Sequence, residues 1–238
     1  MKRTAVLLVL AALVSSSGCQ MARMSLPANL AAEAREMACR GRQGFKFNEA
    51  FTFEPFKVTD VHRSWTTIQG WGDAWFNTAR ARQRYEFTVA EPGAPAWEGR
   101  CAVGAEFTNV EIRGFLGGDV EVEVFGEQSL LGLLKERGTE RSWRLVLGQS
   151  TGQRSLRGVL ANGNLRFRVQ GHHRLTRIPL PVSEAAGYLL SLDGEAVAAV
   201  EVINKGAVWI HPSVKPELRG LLAAAAAALL LYQDLLAL

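Results

Sequence analysis

Apolar residues alternate with polar ones over most of this chain and become continuous only at its end. Phe45, Phe47, Phe51 and Phe53 stand at alternating positions, and residues 56–65 continue in strand-like composition. Further strands are predicted over 75–79, 84–90, 97–103, 119–125, 143–147, 155–160, 165–170, 187–192, 196–203 and 207–211. Residues 129–136 fit either a strand or a single helical turn. Turn chemistry separates these runs: the stretch 91–95 is Glu-Pro-Gly-Ala-Pro, and Gly117-Gly118-Asp119, Asn162-Gly163-Asn164, Asp193-Gly194 and Asn204-Lys205-Gly206 follow. Ahead of the strands, residues 28–40 predict a helix with Leu30, Ala34, Met37 and Ala38 on one face. No repeat or low-complexity linker divides the chain, which therefore reads as one domain.

The final segment is of another kind. Alanine and leucine dominate from Leu218 onward, behind Pro212 and Pro216, and predict a helix over 216–238. From Gly220 to Tyr232 no polar side chain appears on any face except the tyrosine hydroxyl, so the helix has no side to show to water. This run of 13 residues rises about 20 Å, short of the roughly 30 Å of a hydrocarbon core. Extending it brings in Gln233 and Asp234, and a central Asp costs about 3 kcal/mol on insertion scales. The balance favours a helix buried in protein, and the strands upstream are what must bury it.

The first twenty residues carry a targeting pattern. Lys2 and Arg3 form a positive start, residues 5–14 an apolar core, and Ser16-Ser17-Gly18-Cys19 a cleavage site. This resembles a bacterial lipoprotein signal, which implies removal of residues 1–18 and acylation of Cys19. Gln20 behind the cysteine implies outer-membrane sorting in that family. On this reading 19–27 is a lipidated tether and 28–238 the folded domain. Two or three acyl chains suffice for stable anchoring without a spanning helix. The plain secretory signal, cut nearby, is the alternative.

Loss of the signal changes the charge argument. The chain has 27 basic and 23 acidic residues, and without Lys2 and Arg3 the balance is 25 against 23. So small an excess gives no reason to propose nucleic acid as a partner. Of the three cysteines, the lipoprotein resemblance gives Cys19 to the lipid, leaving Cys39 and Cys101; an exported chain with such a pair predicts one disulfide, the alternative being two buried thiols that act as small hydrophobes.

Ten to twelve short strands followed by one wholly apolar helix is an unusual order. The stretch Gly187-Tyr-Leu-Leu-Ser-Leu-Asp-Gly-Glu-Ala-Val-Ala-Ala-Val200, then Gly206-Ala-Val-Trp-Ile210, then the Ala/Leu helix resembles the tubby C-terminal-like superfamily. That superfamily includes the LURP-one-related proteins and the phospholipid scramblases. The resemblance implies an antiparallel barrel of about 10–12 strands closed around a hydrophobic C-terminal helix. Closure removes the open sheet edges, and a helix fills a bore too wide for side chains alone.

Candidate chemistry is sparse. Gly148-Gln-Ser-Thr-Gly152 matches the nucleophile-elbow pattern, but a strand rather than a helix follows it, so Ser150 reads as a turn residue. His172 and His173 are adjacent and would face opposite ways in a strand, while His62 and His211 are distant, so no zinc site is expected. No phosphate loop or dinucleotide fingerprint is present, and no cofactor is expected. Charge is uneven: acidic residues crowd 91–127 and basic ones 135–177. Arg154, Arg157, Arg166, Arg168, Arg174 and Arg177 are the candidates for contact with anionic lipid, as the resemblance implies. The competing account is a solvated barrel exterior with opposed charges worth a few tenths of a kcal/mol per pair. These readings lead to a lipid-anchored envelope protein that binds anionic lipid or a protein partner without catalysis. The alternatives are an envelope hydrolase with Ser150 as nearest nucleophile, and a carrier for an apolar ligand.

Overall fold

The computed structural model describes residues 21–42, 49–64, 80–106, 110–115, 118–122, 129–149, 155–163 and 165–236. Among the described residues the first elements are helix α1 (Ala28–Glu33) and strand β1 (Met37–Ala38). Next come β2 (Glu49–Phe53), β3 (Phe56–Ser64), β4 (Arg80–Ala90), β5 (Trp97–Glu106), β6 (Val110–Phe115) and β7 (Gly118–Val122). The remaining strands are β8 (Ser129–Glu136), β9 (Ser142–Gln149), β10 (Leu156–Asn162), β11 (Leu165–His172), β12 (Gly187–Leu192), β13 (Glu195–Glu201) and β14 (Ala207–Ile210). Helix α2 (Pro216–Leu236) closes the order.

Each strand from β2 to β5 and from β8 to β14 pairs antiparallel with the next, β8 following β5, while β6 and β7 form a separate hairpin between them. Strand β1 lies on the far edge beside β14. The two outer edges then meet. The Arg40 N–H donates to the Thr52 carbonyl at 2.8 Å, and the Thr52 N–H returns a bond to Arg40 at 2.9 Å. The result is the expected nearly closed antiparallel barrel, built from 12 strands.

Alternation explains why these residues form its wall. In β11, Phe167 and Val169 point into the core while Arg166, Arg168 and Gln170 face out. In β14, Val208 and Ile210 point in, and Ala207 and Trp209 sit in a second cluster on the outer face. That outer cluster is covered by α1 and the segment before it, through Met24 and Leu30.

Antiparallel reversal sorts the connections to two ends. At the turn end, the links after β2, β4, β8, β10, β12 and β14 are two to six residues long. At the loop end, those after β1, β3, β9, β11 and β13 are five residues or longer, and the chain between β5 and β8 carries the β6–β7 hairpin. Helix α2 starts at the turn end, where Gly220 lies so close to Trp97 that an added Cβ would stand 2.5 Å from the indole Nε1. It then runs through the bore toward the loop end.

Residues Leu221 to Tyr232 are all 1% exposed or less, which leaves no helix face in water. The helix touches β4, β5 and β8 on one wall and β13 and β14 on the opposite one. Leu221, Leu222, Leu229, Leu230 and Leu231 gain about 2 kcal/mol each by leaving water. The alanines keep the rod thin enough for the inward aromatic side chains Phe51, Phe53, Tyr85 and Tyr188 to pack around it. Two polar contacts fix it in depth. The Tyr85 hydroxyl donates to the Ala228 carbonyl at 2.8 Å, and Arg42 Nη2 donates to the Leu230 carbonyl at 3.3 Å. Arg42 Nη1 also reaches the Val202 and Lys205 carbonyls, each at 3.4 Å, so a cation sits by the negative end of the helix dipole. Among the described residues no helix is long and apolar enough to cross a membrane.

Three expectations are corrected. The helix expected over 28–40 stops at Glu33, and Ala34 is already extended. Met37 and Ala38 pair instead with Val208 and Ala207, because the barrel needs a twelfth strand more than Ala-rich residues need a helix. The boundary expected between a tether over 19–27 and the folded domain does not hold at Met24, which is buried in the outer cluster and belongs to the domain. The expected disulfide is not formed: Cys39 and Cys101 are both buried, with no bond between them. Cys39 follows β1 at the seam and Cys101 lies in β5, with β2, β3 and β4 between them around the wall. Four strand spacings of about 4.8 Å each separate them, against a Cα span of roughly 4.4–6.8 Å for a disulfide. Burial pushes the Cys101 thiol up to about 12, with the neighbouring Tyr85 hydroxyl opposing the shift.

Candidate functional site

The loop end gathers the candidate residues, and a clamp on the N-terminal segment positions them. Glu201 ends β13 on the outer face and is buried. Its carboxylate accepts from Arg23 Nε at 2.9 and 3.0 Å and from the Met24 backbone N–H at 2.7 Å. A buried carboxylate must be paired in this way, since an isolated one would be too costly to desolvate. Arg23 also donates to Glu36 at 2.9 Å and lies 5.9 Å from the centre of the Trp209 ring. Burial lowers the Arg23 pKa, but the bonds to Glu36 and Glu201 outweigh it and hold the guanidinium above its ordinary value.

Backbone pairing completes the clamp. The Ser25 N–H donates to the Arg174 carbonyl at 2.9 Å, and the Thr176 N–H donates to the Arg23 carbonyl at 2.8 Å. The Asn204 amide donates to the Ala22 carbonyl at 2.7 Å. Met24 seats because Gly187 has no side chain: a Cβ there would overlap the Met24 sulfur and the Val200 carbonyl. The chain from Ala22 to Ser25 is therefore fixed to the loop end, against the connection between β11 and β12.

The expected arginines divide between the two ends. Arg174 and Arg177 are exposed on the β11–β12 connection, beside the clamp. Arg157 is exposed on β10, opposite Gln170 and near the same end. Arg168 is exposed farther down β11, and Arg166 lies by the turn end, about 20 Å along the strand from His172. Arg154 lies outside the described residues, as do Ser150 and Cys19. Elsewhere the exterior charges are opposed across strands, as in Arg137–Glu98 at 2.9 Å and Arg100–Glu86 at 3.7 Å.

The adjacent histidines take separate partners. His172 Nε2 lies 3.0 Å from the Ser25 hydroxyl, tying β11 to the N-terminal segment. Burial, with the nearby charges of Arg174 and His173, lowers its pKa below the ordinary histidine value. His173 Nδ1 lies 3.0 Å from the Val182 carbonyl, which places the proton on that nitrogen, and Nε2 then accepts from the Ser155 hydroxyl at 2.8 Å. This is the geometry of an activated serine, yet Ser155 is only 7% exposed, and no carboxylate is among the partners of His173. His62 pairs across strands with Glu86, and His211 Nε2 stands 3.3 Å from Glu33. Among the described residues no three His, Cys, Asp or Glu converge as a metal site.

The cleft between Trp97, Gly220 and Glu91 at the turn end has a volume of about 60 Å³, too small for a lipid or a drug-sized molecule. The residues that matter most at the loop end carry little sequence signal. Glu201 is a single carboxylate closing an apolar strand, and Arg23 lies in what reads as a tether; only the burial of the first by the second gives them a role. No protein-family model matches this chain, and neither a curated protein nor a solved structure matches it.

Proposed function

We propose that the chain is a lipid-anchored bacterial envelope protein, sorted to the outer membrane, whose tubby-like barrel works as a non-catalytic binding module against anionic lipid. The observation that carries this reading is the place where the N-terminal segment is clamped. Ala22 is held at the loop end, three residues after the cysteine of the lipoprotein-like signal, next to exposed Arg174 and Arg177. A basic side chain close to an anionic leaflet contributes about 1 kcal/mol, so Arg157, Arg174 and Arg177 together supply a useful electrostatic hold. The buried helix argues against the carrier reading, because it occupies the space an apolar ligand would need.

Mass spectrometry of the N-terminal peptide from purified membranes tests the anchor, with acyl chains expected on Cys19 and a Cys19→Ala variant expected to leave the membrane fraction. Recovery of unmodified Cys19 from membrane-bound protein would overturn it. Weak, salt-reversible binding of the purified Cys19→Ala protein to phosphatidylglycerol vesicles at low ionic strength, and none to phosphatidylcholine vesicles, tests the charge. A hydrolase is the second reading, and the Ser155–His173 hydrogen bond is what favours it. A fluorophosphonate probe that labels the wild type and spares Ser155→Ala would establish that activity.

A further inference from the structure

The large hydrophobic side chains left exposed among the described residues are Met21 at 65%, Ile178 at 44% and Leu180 at 73%. Scattered single residues of this kind need no explanation, but these three share one place. Met21 adjoins the clamped Ala22. Ile178 and Leu180 are on the β11–β12 connection, whose Leu175 bridges to Met24 and whose Ile178 N–H turns back to the Leu175 carbonyl at 3.4 Å. From this juxtaposition we infer that the β11–β12 connection is a wedge that enters the bilayer surface through Ile178 and Leu180, beside the acylated N-terminus. The inference rests on the anchor proposed above and adds which surface of the barrel touches lipid, and how.

Four features fit a lipid surface. Reach is the first: Ala22 is fixed, and three residues extend at most about 11 Å, so the root of the acyl chains stays close to the loop end. Backbone chemistry is the second. The wedge reads Ile178-Pro179-Leu180-Pro181, and its two prolines have no N–H to strip of water in a low-dielectric layer. The third is rigidity, since the base of the connection is pinned by Val182 N–H to His173 and Ala186 N–H to His172, each at 2.8 Å. A wedge that is already ordered loses little entropy on insertion. Charge is the fourth: Arg174 and Arg177 precede the apolar tip and a single carboxylate, Glu184, follows it, which leaves the base of the connection net positive, as anionic headgroups favour.

The test uses full-length protein, processed in cells, purified and reconstituted into phosphatidylglycerol–phosphatidylcholine vesicles. An environment-sensitive fluorophore is placed at Ile178→Cys or Leu180→Cys, and at Glu195→Cys on the turn end as the control; Cys39 and Cys101 are buried. The expected result is blue-shifted emission at 178 and 180, with quenching by acyl-chain spin labels several-fold stronger than at 195. Water-like emission at 178 and 180 from protein that carries acyl chains and floats with the vesicles would overturn the wedge and leave the anchor standing. Blue-shifted emission without lipid quenching would mean that protein covers the tip, and would also overturn it. Unacylated Cys19 in the mass spectrum would overturn the anchor and, with it, the reach on which the wedge depends.

Discussion

Shortening Leu230 to alanine probes the packing of the helix in its bore. Leu230 is 0% exposed, and its Cδ2 lies 2.8 Å from where a Cβ on Gly206 would stand. The wall there is the Gly206 backbone at φ 87°, and the neighbouring side chain, Arg42, is held by its bonds to the Val202, Lys205 and Leu230 carbonyls and does not refill the vacancy as an apolar group would. Loss of a buried leucine costs about 2–5 kcal/mol, and the upper half of that range applies where the site cannot collapse. In a domain of this size each kcal/mol moves the melting point by about 2–4 °C, so Leu230→Ala should melt roughly 7–20 °C below the wild type. Leu180→Ala, exposed at the loop end, is the control and should stay within about 0.5 kcal/mol. Melting both variants and the wild type in mild detergent, followed by circular dichroism, gives the comparison. A Leu230→Ala shift no larger than that of the control would refute the buried position of the helix.

Other expectations follow from the same geometry. Gly220→Ala should destabilise by about 1–3 kcal/mol through overlap with Trp97, although Gly to Ala in an open helix would stabilise; a raised melting point would contradict the packing. Cys39 and Cys101 should resist a thiol reagent in the folded protein at neutral pH and react once it is unfolded, without prior reduction. Recovery of a linked peptide from non-reducing digestion would show the opposite. For His172, whose folded pKa is lowered, the unfolded chain takes up a proton that the folded chain resists. Its contribution to stability is complete above the ordinary histidine pKa of about 6.5 and is lost as pH falls toward the lowered value. Urea midpoints measured down that range should fall, and His172→Gln should flatten the fall.

The strand pattern and the final helix were legible because both rest on local periodicity. Phe51 and Phe53, or Phe167 and Val169, announce the inward face of a wall by their spacing alone, and the stretch from Leu221 announces burial by having no polar face. What sequence left open depends on partners far along the chain. Met37 and Ala38 carry helix-forming neighbours, and only Val208 and Ala207 make them a strand. Cys39 and Cys101 invite pairing by compartment and number, while the ring order keeps them apart. The clamp joins Arg23 to Glu201 across 178 positions, a pairing that no local pattern encodes. The arginines of β10 and β11 were visible as a basic run, but the alternation and reversal of the strands decide which of them stand together. The hairpin β6–β7 adds a strand, Val110–Phe115, that the alternation did not single out.

The central claim is that the loop end, and not the turn end, faces the membrane. Lys205 is exposed at the loop end, and its carbonyl shares Arg42 with that of Leu230. Glu217 is exposed at the start of the helix, at the turn end. Thirteen residues of helix separate the two levels, a height of about 20 Å. Energy transfer from a donor at Lys205→Cys or Glu217→Cys to acceptors on the lipid headgroups, in reconstituted acylated protein, measures that height directly. The account predicts strong transfer from 205 and weak transfer from 217, with distances that differ by about 20 Å along the barrel. Equal transfer from the two sites, or stronger transfer from 217, would contradict it.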